Sequence, residues 1–347
     1  MRITPFGQLN TGEKVTAFDL DQADGSGCRI ITLGGIITSL RVPDREGNLA
    51  DVVLGFNHLH DYLGPHPYFG AIVGRVAGRI IGSQFELDGQ LYPLVANNSP
   101  NHLHGGTVGF SHRNWTATPL TRSDGSPSVR LTYRSPDGEE GYPGNVATAV
   151  TYTFTSRHEL IVEIEATSDQ PTPFSLTQHS YFNLQGEGIG DVKDHRLQIL
   201  ANTYAPTDDR ICLLGRREPV TVPGNDFNAS QRLVDALPHL HQQHGDLYFL
   251  PDHSGLTTVA RVEDPPSGRV LEVQTDEPCL QFYTGVSLDG SQIGKSGQPY
   301  GPYAGLCLEC EGYPNGPNSP ELGDIILRPG QTFHRTTVYA FSTSRLI

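Results

Sequence analysis

An all-β fold, a large antiparallel β-sandwich with few short helices, is the architecture predicted by three features of the sequence. Apolar and polar residues alternate with period two over many short stretches, glycine and proline are abundant, and no helical period is sustained. Alternation marks strands with one buried face, because successive side chains on a strand point to opposite sides. In Val146-Ala147-Thr148-Ala149-Val150-Thr151-Tyr152-Thr153-Phe154 it gathers Val146, Val150, Tyr152 and Phe154 on one side. Leu160, Val162, Ile164 and Ala166 then alternate with Ile161, Glu163, Glu165 and Thr167, and Ser156-Arg157-His158-Glu159 between the two runs reads as a hairpin connection. Residues 197–201, 270–275, 280–284, 305–309 and 336–342 are further strand candidates.

The 39 glycines and 26 prolines interrupt helices and suit tight turns. Helical spacing appears only at residues 57–63 and 233–241, the second broken by Pro238. Neither a repeat nor a low-complexity linker divides the 347 residues, which predicts a single domain over 1–347.

Composition narrows the partners. The chain is 36% hydrophobic and 18% charged, with mean hydropathy -0.34. Its 38 acidic against 24 basic residues give a net charge of -14, and no run of Lys or Arg forms a nucleic-acid footprint. The same charge disfavours anionic substrates. No signal-like start or span-length apolar run is present, so neither secretion nor a membrane is expected. Five cysteines, an odd and small number, argue against a disulfide framework and for a soluble protein of the cytoplasm.

Several segments carry residue types suited to chemistry. His102-Leu103-His104-Gly105-Gly106 places two histidines on one side of a strand, as a metal pair would be, but no nearby carboxylate completes a ligand set. His102 is read as an ordinary polar histidine. The glycine pair predicts close backbone approach, or a turn that presents His104 at a pocket edge. Cys307-Leu308-Glu309-Cys310 contains a C-x-x-C, yet on an extended strand Cys307 and Cys310 face opposite sides, which disfavours redox or zinc chemistry and leaves Glu309 and Glu311 on the Cys307 side. Thr177-Gln178-His179-Ser180-Tyr181-Phe182-Asn183 mixes hydrogen-bonding and aromatic side chains as a sugar site requires, although a hydrogen-bonded strand end would look the same. Arg75 and Arg79 each read as a surface charge or a structural ion pair. Glu139 and Glu140, in the turn-rich stretch 135–144, read as exposed or structural acids.

Taken together, seven segments in order resemble the aldose 1-epimerase (galactose mutarotase) family. They are residues 74–80, Leu103-His104-Gly105-Gly106, 135–144, His179-Ser180-Tyr181-Phe182-Asn183, Gln281-Phe282-Tyr283-Thr284-Gly285, Leu308-Glu309 and Leu327-Arg328-Pro329-Gly330. The resemblance implies a β-supersandwich that interconverts the α and β anomers of a free aldose. It implies His179 as general acid and Glu309 as general base, with Arg79, His104, Asp246 and Gln281 binding the sugar. No cofactor and no metal are expected, and the partner is a free monosaccharide bound by a monomer or homodimer. Gly78, Gln178, Leu247 and Cys310-Glu311 depart from the common family pattern, none of them removing the implied acid or base, and they leave the preferred sugar open. The competing readings are a hexose-phosphate epimerase, which would need a basic clamp beyond Arg75 and Arg79; a non-catalytic sugar-binding module; and a metal enzyme built on the histidines.

Overall fold

A computed structural model describes residues 1–344. Three antiparallel sheets dominate it. The largest has nine strands in the order Thr116–Thr121, Pro127–Ser135, Val146–Phe154, Glu159–Ser168, Phe333–Thr343, Arg269–Thr275, Thr257–Glu263, Arg196–Ile199 and Gln231–Arg232. A second runs Tyr181–Phe182, Leu306–Glu311, Cys279–Tyr283, Leu247–Phe249, Thr203–Ala205 and Glu218–Pro219. The third is an N-terminal meander of five strands between Arg2 and Asp51. Each strand expected from alternation is present within three residues of its predicted bounds. The helical fragments shrink to Leu59–Leu63 and Leu233–Ala236, and Pro238 turns the end of the second into 3-10 geometry.

The alternation at 146–154 and 160–166 faces the main core, with Val150, Tyr152, Leu160 and Val162 buried. The same core takes Leu280 and Phe282, then Leu306, Leu308 and Cys310, from the six-stranded sheet, and Ile30, Ile37 and Leu40 from the meander. Leu306–Glu311 is buried at all six positions. Its even-numbered residues enter the main core, while Cys307, Glu309 and Glu311 point to the opposite side. The parity expected for the C-x-x-C therefore holds: Cys307 and Cys310 are both unpaired, on different faces. No helix among the described residues is long and apolar enough to cross a membrane.

The loop 135–144 is fastened by Arg75, which is almost wholly buried. Its guanidinium donates to the carbonyls of Pro143 (2.8 Å), Gly144 (3.1 Å) and Pro136 (3.1 Å), and to the hydroxyl of Ser135 (2.5 Å). The residue is thus a hub for carbonyl groups rather than a surface charge or half of an ion pair. Glu139 and Glu140 are structural, as expected. Glu139 pairs with Arg113 at 2.7 Å, and Glu140 accepts from the amides of Thr107 (2.9 Å) and Val108 (3.0 Å).

Replacing Arg75 with Met strips several buried carbonyls of their donor at once. The expected cost is about 3–5 kcal/mol, measurable as a lowered urea midpoint with an unchanged slope.

Candidate active site

A cleft of about 200 Å3 lies on the Glu309 side of the six-stranded sheet. Glu309 and Gln281 are direct cross-strand partners there. His179 ends the strand Thr177–His179, which pairs with Ala71–Val73 and brings the imidazole over Glu309. Its Nε2 is 3.5 Å from Glu309 Oε2, and its Nδ1 is 3.7 Å from the Cys307 thiol. The ring stacks on Tyr181 at 5.2 Å and meets His104 edge-on at 5.2 Å.

His104 reaches the cleft because the strand His102–Leu103 stops just before it. The residue takes a left-handed φ of 50°, so the two histidines expected on one side part company. Its amide donates to Gly78 O at 3.0 Å, and its Nδ1 accepts from Gly78 N at 3.1 Å. That second bond fixes the tautomer: a neutral ring carries its proton on Nε2. Burial, with His179 and Arg79 adding to it, holds His104 well below the ordinary histidine range. His102 stays in the interior, between Val95 O (2.7 Å) and Tyr142 OH (2.8 Å), a structural role that suits its ordinary reading.

The glycine pair behind His104 makes the close approach that the sequence predicts. Gly105 has φ 82°, and a Cβ there would lie 1.8 Å from Gly74 O; at Gly106, φ 105°, one would lie 2.1 Å from Glu140 Oε2. Glu140 thus secures the loop from outside while Gly105 lets it press against the chain beneath.

Burial shapes the ionisation of the central pair. Desolvation lowers His179 to about 4 and raises Glu309 to about 8, with Arg79 opposing the second shift. Among the described residues Arg79 is the one Lys or Arg lining the cleft, steered by a bond from its Nε to Asn98 Oδ1 at 3.1 Å. Over the intervening pH range the pair holds one proton, and these values place it on Glu309 rather than on His179. Such an arrangement accepts a proton at one point and delivers one at another. Cys307, His179 and Glu309 also offer donor atoms within 4.8 Å of one another, a spacing compatible with a metal ion.

Five of the six expected site residues meet here: Arg79, His104, His179, Gln281 and Glu309. Asp246 does not line this cleft, and the reason is parity. Leu247 is the cross-strand partner of Gln281, so Asp246, one residue earlier, turns to the other side. There its carboxylate accepts from Asn225 Nδ2 at 2.9 Å and opens on a separate polar pocket with Tyr204, Thr221 and His241. Burial raises it to about 6.

His244 takes a place in the cleft instead, its ring 4.6 Å from Tyr283 and its pKa lowered to about 4 by burial. Its setting in a run of irregular turns carries no period that could have marked it. Tyr68 also lines the cleft, at a left-handed φ of 59° that no pattern announces. Of the unusual positions, Gly78 and Glu311 line the cleft. Cys310 lies in the core, and Gln178 braces the His179 strand by bonds to Gly70 O (2.8 Å) and from Ser180 N (3.0 Å).

The sequence model of the family described as aldose 1-epimerase matches residues 16–340. The chain belongs to this family. It is similar to the galactose mutarotase of Sus scrofa, with 44% identity over 98% of each chain. It is 33% identical to the aldose 1-epimerase of Escherichia coli (strain K12), over 90% of this chain and 92% of that one. Among solved structures it resembles the aldose epimerase homologue from C. elegans, at a TM-score of 0.87 and 30% identity over 95% of this chain and 99% of that chain. The aldose 1-epimerase likeness therefore extends through the whole three-sheet architecture, and the all-β fold with few short helices is that of the galactose mutarotase-like proteins.

Substituting Ala for Gly105 sets a Cβ against the Gly74 carbonyl. Loss of about 3 kcal/mol or more is expected from this backbone clash, read by urea denaturation.

Proposed function

We propose that this member of the aldose 1-epimerase family interconverts the α and β anomers of a free aldose, galactose and glucose being the first candidates, and that it works through His179 and Glu309. The observation that carries the assignment is the facing of these two groups across 3.5 Å in a buried cleft, close enough for the pair's one proton to move from Glu309 to His179. In the form that reacts, the pair's proton has passed from Glu309 to His179: Glu309 then takes the proton of the C1 hydroxyl while His179 gives one to the ring oxygen, and the C1–O5 bond breaks to leave an open aldehyde. Rotation about C1–C2 and reclosure with the two roles reversed deliver the other anomer. The net proton count is unchanged, so the pair is reset without help from solvent.

Arg79 favours the ionised carboxylate, and a neutral His104 offers its Nε2 proton to a sugar oxygen. Gln281 supplies an amide beside Glu309, completing a set of groups that hold the ring while the protons move. Asp246 has no part in this proposal. A phosphorylated hexose is disfavoured, because Arg75 is spent on backbone carbonyls and Arg79 alone is no clamp. One core shared by three sheets supports treating 1–347 as a single domain.

Polarimetry on freshly dissolved α-D-galactose and α-D-glucose tests the activity. Equilibration faster than buffer is expected, and a panel of free aldoses that shows no acceleration ends the proposal. Glu309→Gln and His179→Asn should each lower kcat by about 100-fold or more. A near-normal rate in Glu309→Gln would move the base elsewhere.

The pH profile follows from the pair's proton count. Adding a second proton below about 4, or removing the last above about 8, leaves no base or no acid. A bell-shaped kcat/KM with limbs near these values is expected in stopped-flow or polarimetric assays across pH.

A further inference from the structure

Glu311 is a second carboxyl on the cleft side of the strand that carries Glu309, one strand repeat further on, and the mechanism makes no use of it. It lines the cleft and is almost wholly buried, and its Oε2 has no hydrogen-bond partner among the described residues. The other oxygen, Oε1, lies close to Gly78, 3.5 Å from where a Cβ there would stand, beside the Pro314 ring that closes that space at 2.5 Å. Leaving a buried carboxyl oxygen unpaired is costly, so a ligand in the cleft is the natural partner.

The groups around Glu311 decide which protonation state it brings. Glu309 stands beside it on the same face, while Cys279, the cross-strand partner of Glu311, and Glu277 approach from the neighbouring segment. Arg79 acts on Glu309, and His179 faces Glu309 as well. No cation pairs with Glu311 among the described residues. Two neighbouring carboxylates in a site this dry do not both ionise, and burial together with Glu309 pushes Glu311 well above the usual carboxylate range.

We propose that Glu311 is a substrate-contacting residue, a neutral carboxylic acid that donates a hydrogen bond to one hydroxyl of the bound aldose and so helps to select the sugar. This rests on the mutarotase reading of the cleft. A donor that grips substrate and transition state alike alters KM and leaves kcat in place.

The test compares Glu311→Gln, which keeps a donor without a charge, with Glu311→Leu, which keeps only bulk. Wild-type protein is run alongside on galactose, glucose and their monodeoxy analogues. For Leu the KM of the preferred sugar should rise about tenfold at nearly constant kcat, whereas Gln should stay within about threefold of wild type. One monodeoxy sugar should show the same rise with wild-type protein and no additional rise with Leu. Thermal unfolding of each variant verifies folding, and the deoxy-sugar series on wild type needs no variant.

Three results overturn the proposal while wild-type activity leaves the mutarotase reading standing. They are an unchanged KM in Leu, a Gln variant as impaired as Leu, and a fall in kcat matching that of Glu309→Gln, which would make Glu311 the base. An inactive wild type sinks both.

Discussion

Leu306–Glu311 is covered on both faces, and the two faces do different work. Leu306, Leu308 and Cys310 are packed into the main core among residues of the nine-stranded sheet and the meander. Their alternates, Cys307, Glu309 and Glu311, are thereby held on the other side, where Glu309 meets His179. Placing a carboxyl in such a setting costs solvation, and the cost appears as an elevated proton affinity. The position of Glu309 is therefore fixed by apolar packing, and its ionisation by the absence of water. Both follow from one strand having no solvent face.

Around that strand, the remaining groups are held by backbone devices. His104 is locked to Gly78 by two hydrogen bonds, and the loop behind it is secured by Glu140. His179 is steadied by Gln178 and by Tyr181. Each group that would touch a sugar is thus oriented before any sugar arrives, and the freedom needed for anomer exchange is left to the substrate's own C1–C2 bond.

The strands were the most legible part of this chain, because period two survives wherever one face is buried, as at 146–154 and 160–166. Parity also placed Glu309 and Glu311 together, away from Cys310, without any coordinates. Parity was equally available for Asp246, but only once Leu247 is known to oppose Gln281, a register that the sequence does not state. His244 and Tyr68 had no signal, since each sits in irregular backbone whose course depends on distant contacts. Arg75 was misjudged for a related reason: its partners are carbonyl groups from residues 136–144, and carbonyl groups leave no trace in residue types.

The cleft also has two kinds of wall. Glu309 and Gln281 project from strands whose opposite faces are embedded in the core, whereas Tyr68, His244 and Ser287 come from connecting segments. Change at the first kind propagates into packing; change at the second stays local. Such a molecule can drift in substrate preference through its loops while its reaction is inherited intact. For anyone redesigning it, the connecting segments are the place to begin.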